Sequence, residues 1–280
     1  MNRPDQFTDD PVAEEVWRSY MTTGKLPDYA HPVWYENKYL RPFVRLLPSD
    51  PRCRWCYYPF HGIGGRLSRI LLGVTPSKLN PQLCNMCERT ANKFPGGTEI
   101  EVSVLFADVR GSTTIAENMS PAEFSHLIDS FYKATTRVLF KKRAFVEKLI
   151  GDEVTGFFVP GFAGETHARN ALEAADSILQ ATVHDRPDGP WVPVGVGVHT
   201  GVSFVGAVSS EGGGADIAVL GDTPNTGARL ASQAATGEIV MSDATRVAAG
   251  IGTKDMQARH LKLKGRAEEM DVWVKKIAAQ

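Results

Sequence analysis

Apolar positions in the last two-thirds of the chain follow two alternating rhythms. Ile100 to Ala107 is a near-continuous apolar run of strand length. Ser120-Pro-Ala-Glu123 then supplies an N-cap, a first-turn proline and a capping-box glutamate. The helix it opens places Phe124, Leu127, Ile128, Phe131 and Val138 on one face. Arg143–Ile150 and Val154–Val159 read as a hairpin with Gly151-Asp152 at its turn. A second amphipathic helix aligns Ala168, Ala171, Leu172, Ala175, Ile178 and Leu179. Val192, Val194, Val196 and Val198 alternate as a strand, and Ala215–Leu220 is another. Asp222-Thr-Pro-Asn225 opens a helix to about Ala235, and Glu238–Ser242 and Asp271–Lys275 are late strands. This order predicts an α+β fold: a ferredoxin-like sheet with helices on one face.

The rhythm is absent before about residue 95. That segment is rich in Pro, Arg and aromatic residues, with short helical candidates such as Val12-Ala-Glu-Glu-Val-Trp17. Phe94-Pro-Gly-Gly97 reads as a linker, dividing the chain into 1–95 and 96–280. All four cysteines fall in the first part, as Cys53-x-x-Cys56 and Cys84-x-x-Cys87, with a 27-residue spacer. Two CxxC pairs bring four thiolates to one metal; zinc and an iron–sulfur cluster both suit such ligands. Pro59-Phe-His-Gly-Ile-Gly-Gly65 and Pro76–Pro81 read as turns around that core. A small N-terminal cysteine-rich metal module is therefore expected.

Charge narrows the partners. A net charge of -1 with 22% charged residues gives no global signal for nucleic acid or an anionic membrane. A local cluster that includes Arg52, Arg54, Arg66 and Arg69 surrounds Trp55, a weak nucleic-acid signal. No apolar run reaches the roughly 18 residues of a membrane span, and the start lacks a signal-peptide core. The expectation is a cytoplasmic protein with neither a membrane nor a nucleic-acid partner. His61 and His199 have no sequence neighbour suggesting an acid–base pair and read as structural.

Asp108 and Asp152 each end a hydrophobic segment at a sharp turn. A carboxylate there is costly to bury alone, and two together repel unless a cation lies between them. The pair points to divalent metal held by oxygen ligands, as in phosphate chemistry.

Phe106-Ala-Asp-Val-Arg-Gly-Ser-Thr113, Glu147-Lys-Leu-Ile-Gly-Asp152, Val198-His-Thr-Gly201 and Gly221-Asp-Thr-Pro-Asn-Thr-Gly-Ala-Arg229 resemble, in order, the motifs of class III nucleotidyl cyclases. Leu263-Lys-Gly-Arg266 fits their closing hairpin, so the resemblance spans roughly residues 98–276 and leaves the cysteine segment outside. It implies ring closure of ATP, with GTP as the alternative, to a 3′,5′-cyclic nucleotide and pyrophosphate. It also implies two Mg²⁺ or Mn²⁺ ions on Asp108, Asp152 and the Val109 carbonyl. Lys148 matches the purine-reading position and, as a donor, favours adenine N1. Ala218 occupies the second such position, where the family usually carries Asp or Thr, and this weakens discrimination against GTP. Asn225 and Arg229, four apart on one helix, match the ribose-orienting and transition-state residues. Backbone N–H groups around Gly111, Ser112 and Thr113 are placed to cradle phosphates, and Lys264 or Arg266 to meet the polyphosphate. Gly212-Gly-Gly214 reads as a turn only. The family builds each site from two protomers, so a head-to-tail homodimer is implied. A catalytically silent nucleotide-binding relative and a redox sensor using the fold for dimerisation are the competing readings.

Overall fold

The computed structural model describes residues 10–30, 51–78, 80–183, 191–209, 215–262 and 269–277; for 147–150, 183, 209, 215 and 216 it describes the backbone alone. Lys264, Arg266 and the Gly212–Gly214 turn lie outside the described residues. By internal contacts the chain forms two compact units. One contains residues through Ile100 together with Phe204–Val219, and the other Glu101–Ser203 with Leu220 onward.

In the first unit, α1 (Pro11–Thr23) begins at Asp10, whose side chain caps Val12 N–H, and ends at the left-handed Gly24. Its buried face brings Trp17 and Tyr20 against Trp55, with ring centroids 5.6 and 4.8 Å apart. Trp55 is thus core, which removes the aromatic half of the nucleic-acid signal. α2 (Gly62–Leu72) occupies part of the stretch read as a turn. Its glycines serve close packing: a Cβ on Gly65 would lie 2.4 Å from the Phe60 carbonyl carbon. α3 (Asn85–Lys93) follows, capped by Cys84.

β1 (Gly96–Val109) takes in Gly96 and Gly97, so the Pro-Gly-Gly sequence opens a strand. The reason is tertiary: a Cβ on Gly97 would meet Val205 O at 2.5 Å and Gly206 Cα at 2.6 Å. Those partners belong to β4 (Val194–Ser209), which runs well past Val198 and pairs there with β5 (Ala215–Leu220).

The second unit continues β1 into α4 (Ser112–Glu117) and α5 (Pro121–Lys141), which starts at the capping box of Ser120 and Glu123. The hairpin β2 (Phe145–Ile150) and β3 (Glu153–Phe158) follows, then the short α6 (Pro160–Ala163) and α7 (His167–Val183). After β4 and β5 come α8 (Asp222–Gln233), β6 (Glu238–Ser242), α9 (Asp243–Ala249), β7 (Gln257–Leu261) and β8 (Met270–Lys276). Strand order among the described residues is β2-β3-β1-β4-β6-β8-β7, with β4 and β6 parallel and β6, β7 and β8 antiparallel.

Strand alternation creates two apolar faces. Leu105, Ala107, Val109, Val196, Val198, Ile239 and Met241 share a core with Phe131 and Leu139 of α5 and Ala171, Ile178 and Leu179 of α7. The opposite face is covered by α8, whose Leu230, with Ala234 just past the helix end, packs with Val240, Val272 and Val274. The helices therefore do not all lie on one face. Glycine lets α8 approach the sheet: a Cβ on Gly227 would meet Val104 at 2.6 Å, and one on Gly197 would meet Ala231 N at 2.2 Å.

One buried ion pair closes the far end of this sheet. Glu238, 4% exposed at its side chain, accepts from Arg259 at 2.7 and 2.9 Å. Those bonds, with the Ala235 N–H and Lys276, hold its carboxyl down to about 2, below the ordinary glutamate value. A depressed carboxyl stabilises the fold above its unfolded pKa and loses that contribution as pH falls through its folded one. We expect about 2–3 kcal/mol to disappear between roughly pH 4.5 and pH 2. Denaturant melts of Glu238→Gln should lack that acid-side slope.

Candidate active site

β1 and β3 carry the acidic centre. Their antiparallel register sets Asp108 opposite Glu153, and Val109 N–H donates to the Asp152 carbonyl at 3.1 Å. Two aspartates 44 positions apart in sequence are thereby delivered to one end of one strand pair. Gly151 makes the turn at φ 60°, in the left-handed region that suits glycine, and its carbonyl accepts from Tyr132 Oη at 2.7 Å.

Negative charge collects here. Burial first, then the charge of Asp152, pushes the Glu153 carboxyl up, and the same two causes raise the Tyr132 phenol. The counter-charge is Arg110, which sequence reasoning missed. Its guanidinium contacts the Asp108 carboxylate, its Nε donates to the Asp108 carbonyl at 3.3 Å, and Nη1 donates to the Ser232 carbonyl at 3.4 Å. Burial lowers its pKa, against the raising pull of Asp152 and Glu153. The available signal was its position two residues beyond Asp108. Asp108, Asp152 and Glu153 set against Arg110 give this end of the strand pair an excess of acidic side chains.

Gly111 adopts φ 67° at the start of α4, with half-buried Ser112 and exposed Thr113 immediately after. Lys148 falls where β2 slips register against β3, between Val146 and Leu149, so a bulge sits at the position matched to base reading. Ala218 lies half-buried in β5.

α8 fixes the remaining pair. Gly227 faces the sheet, and at 100° per residue Asn225 and Arg229 each fall about 20° from the opposite point of the helix. Burial agrees, with Asn225 exposed and Arg229 half-buried. Asn225 Nδ2 donates to the Gly221 carbonyl at 3.0 Å. Among the described residues, no hydrogen bond or ion pair joins Asn225 or Arg229 to Asp108 or Asp152. The structure thus unites the two aspartates and leaves Asn225 and Arg229 on an outward helix face. His199, as expected, is structural: its Nδ1 meets Ser242 Oγ at 2.8 Å in a buried network. His61 is exposed and its side chain does not cap α2.

The second candidate site is in the first unit. Cys53, Cys56, Cys84 and Cys87 are all buried, and their sulfurs lie within 4.8 Å of one another. Cys53–Cys87 and Cys56–Cys84 are separated by 3.7 and 3.6 Å. Local structure builds the cage. Cys53 N–H donates to Tyr58 O, while Tyr57 at φ 63° turns the chain back. Cys84 N–H donates to Cys53 Sγ at 3.2 Å, and Cys87 N–H to Cys84 Sγ at 3.4 Å at the start of α3. Burial pushes the Cys56 and Cys87 thiols up; bonds from the other cysteines, Cys53 foremost, hold Cys84 well below the usual thiol range. Four buried, mutually close sulfurs make a donor set that could hold a metal ion.

Residues 97–276 match the family model of the adenylate and guanylate cyclase catalytic domain. An adenylate cyclase of Anabaena cylindrica is 28% identical over 182 residues, covering 57% of this chain and 35% of that protein. Human atrial natriuretic peptide receptor 2 is 26% identical over 182 residues, covering 62% and 17%. The chain thus spans about a third or less of these relatives' length. Among solved structures, the guanylyl cyclase Cya2 superposes with a TM-score of 0.59 at 22% identity, over 64% of this chain and 93% of that one. The adenylyl cyclase CyaB from P. aeruginosa gives 0.54 at 20%, over 65% and 96%. The chain belongs to the adenylate and guanylate cyclase catalytic domain family.

Proposed function

We propose that the chain converts ATP to 3′,5′-cyclic AMP and pyrophosphate at a homodimer interface, behind an N-terminal zinc module. Support comes from the register that sets Asp108 opposite Glu153, the neighbour of Asp152, at one end of the β1–β3 pair. Those carboxylates and the Val109 carbonyl would hold two Mg²⁺ or Mn²⁺ ions. Such ions would supply Lewis acidity at the ribose 3′-hydroxyl and charge neutralisation at the polyphosphate. N–H groups at Gly111, Ser112 and Thr113 cradle phosphate oxygens, and Lys264 or Arg266 adds positive charge. Arg229 meets charge growing on the α-phosphoryl oxygens, and Asn225 orients the ribose. Because both face away from their own sheet, the site is completed by a second protomer, consistent with a head-to-tail dimer.

Lys148 donates to adenine N1, which favours ATP; Ala218 adds no polar atom against guanine, so selectivity is modest. The two activities separate in one assay. Purified chain with Mn²⁺ should yield more cyclic AMP from ATP than cyclic GMP from GTP. The margin should be about tenfold rather than a thousandfold, and Lys148→Glu should shift it toward GTP. A larger product yield from GTP reverses the base assignment. No cyclic product from either nucleotide favours the silent relative, the reading to which Ala218 lends support.

For the cysteines, sulfur spacing supports a single ion. Four ligands at about 2.3 Å from one tetrahedral centre stand about 3.8 Å apart, close to the observed 3.6 and 3.7 Å. An iron–sulfur cluster interposes several irons and sulfides and spreads its outer thiolates further. We assign zinc here, within a module ending near residue 95.

A further inference from the structure

We propose that α2 is a docking helix that lies on an anionic lipid surface. Its amphipathicity is inverted. The buried residues are Gly64, Gly65 and Ser68, whereas Ile63, Leu67, Ile70 and Leu71 are 78, 43, 80 and 72% exposed. Positions i, i+4, i+7 and i+8 form one stripe, so these four aliphatic side chains make a continuous apolar ridge directed at solvent. A helix that serves only the core turns its large residues inward.

Charge identifies the occupant. Arg66 and Arg69 are exposed on the same helix, which has no acidic residue. Residues 51–93 around it carry seven Lys or Arg against the single acid Glu88. Pairing with a second copy of α2 would bring four guanidinium groups together with no carboxylate on either helix. Nucleic acid would satisfy the arginines and leave the aliphatic ridge in water. An anionic bilayer surface satisfies both: the ridge enters the acyl boundary while the arginines reach headgroup phosphates. At 11 residues, about 16 Å long, α2 lies along a bilayer and does not cross it. This is compatible with the absence of any described helix long and apolar enough for a span. The proposal does not depend on the cyclase reading.

The test is co-sedimentation of the full chain with vesicles of phosphatidylcholine, alone or mixed with phosphatidylglycerol. Binding is expected only with the anionic vesicles and should weaken with salt. Ile70→Asp with Leu71→Asp should lower affinity by about tenfold or more. Arg66→Gln with Arg69→Gln should weaken binding and flatten its salt dependence, and near-ultraviolet circular dichroism checks that each variant folds. The proposal is overturned by any of four results: no binding to anionic vesicles, equal binding to both types, binding unchanged in folded variants, or a ridge substitution whose sole effect is to dissociate a dimer.

Discussion

Asp108→Asn and Asp152→Asn should each reduce cyclic nucleotide formation by about a thousandfold or more, a loss of roughly 4 kcal/mol of transition-state stabilisation. An amide keeps the shape of the carboxylate and removes the charge that would hold a divalent ion. The two variants should differ in stability. Asp108 neutralises the half-buried Arg110, so its amide leaves a guanidinium without its carboxylate. That should cost about 1–3 kcal/mol in a denaturant melt. Asp152 keeps its backbone carbonyl contact in the amide, and losing its charge relieves repulsion with Glu153 while weakening attraction to Arg110, so its melt should move less. Activity within tenfold of the native chain in either amide would falsify the two-aspartate mechanism. Failure of both variants to fold is distinguished by the melt, and Mn²⁺ titration of the folded variants then reports ion binding directly.

The second large effect concerns the cysteine cage. Purified chain should carry about one zinc and show no visible thiolate-to-iron absorbance. Cys56→Ser or Cys87→Ser should release the metal and open the first unit to protease. Metal binding to such sites contributes on the order of 10 kcal/mol to folding. Among the described residues, the module also contains an aromatic cluster around Trp55 and three helices of 9 to 13 residues. The core built on α5 and α7 includes none of the four cysteines and should remain protected. Iron with acid-labile sulfide in stoichiometric amount would replace zinc by a cluster. Metal-free protein that resists protease equally well would remove the site altogether.

Several elements were legible because their determinants are local. Ser120 and Glu123 specify the start of α5 by two reciprocal bonds that need no distant partner. The alanine-rich stripe of α7 specifies a buried face, and every residue assigned to it is buried. Gly151 and Asp152 mark the hairpin turn for the same reason. The candidate ligands Asp108 and Asp152, and the cysteines, were visible as residue types at turns and at fixed short spacing.

Other features depend on what meets what. The glycines of α2 look like turn residues until Phe60 is seen pressed against Gly65. Gly97 reads as a linker residue, yet it lies against Gly206 so closely that a Cβ on either would meet the other's Cα at 2.6 Å. α8 carries a helical pattern in sequence, but nothing local says which face of the sheet it covers. That is set by the fit of Gly227 against Val104 and of Gly197 against Ala231.

From its residues alone, then, this chain declared a mixed sheet, two aspartates at turns and a four-thiol cage, because caps, alternation and ligand spacing act over a few positions. Only the tertiary structure decided that Arg110 answers Asp108, that Asn225 and Arg229 look outward and that α2 presents its aliphatic side to solvent. Those outcomes depend on strand register and on steric fit between segments far apart in sequence, which no local pattern encodes.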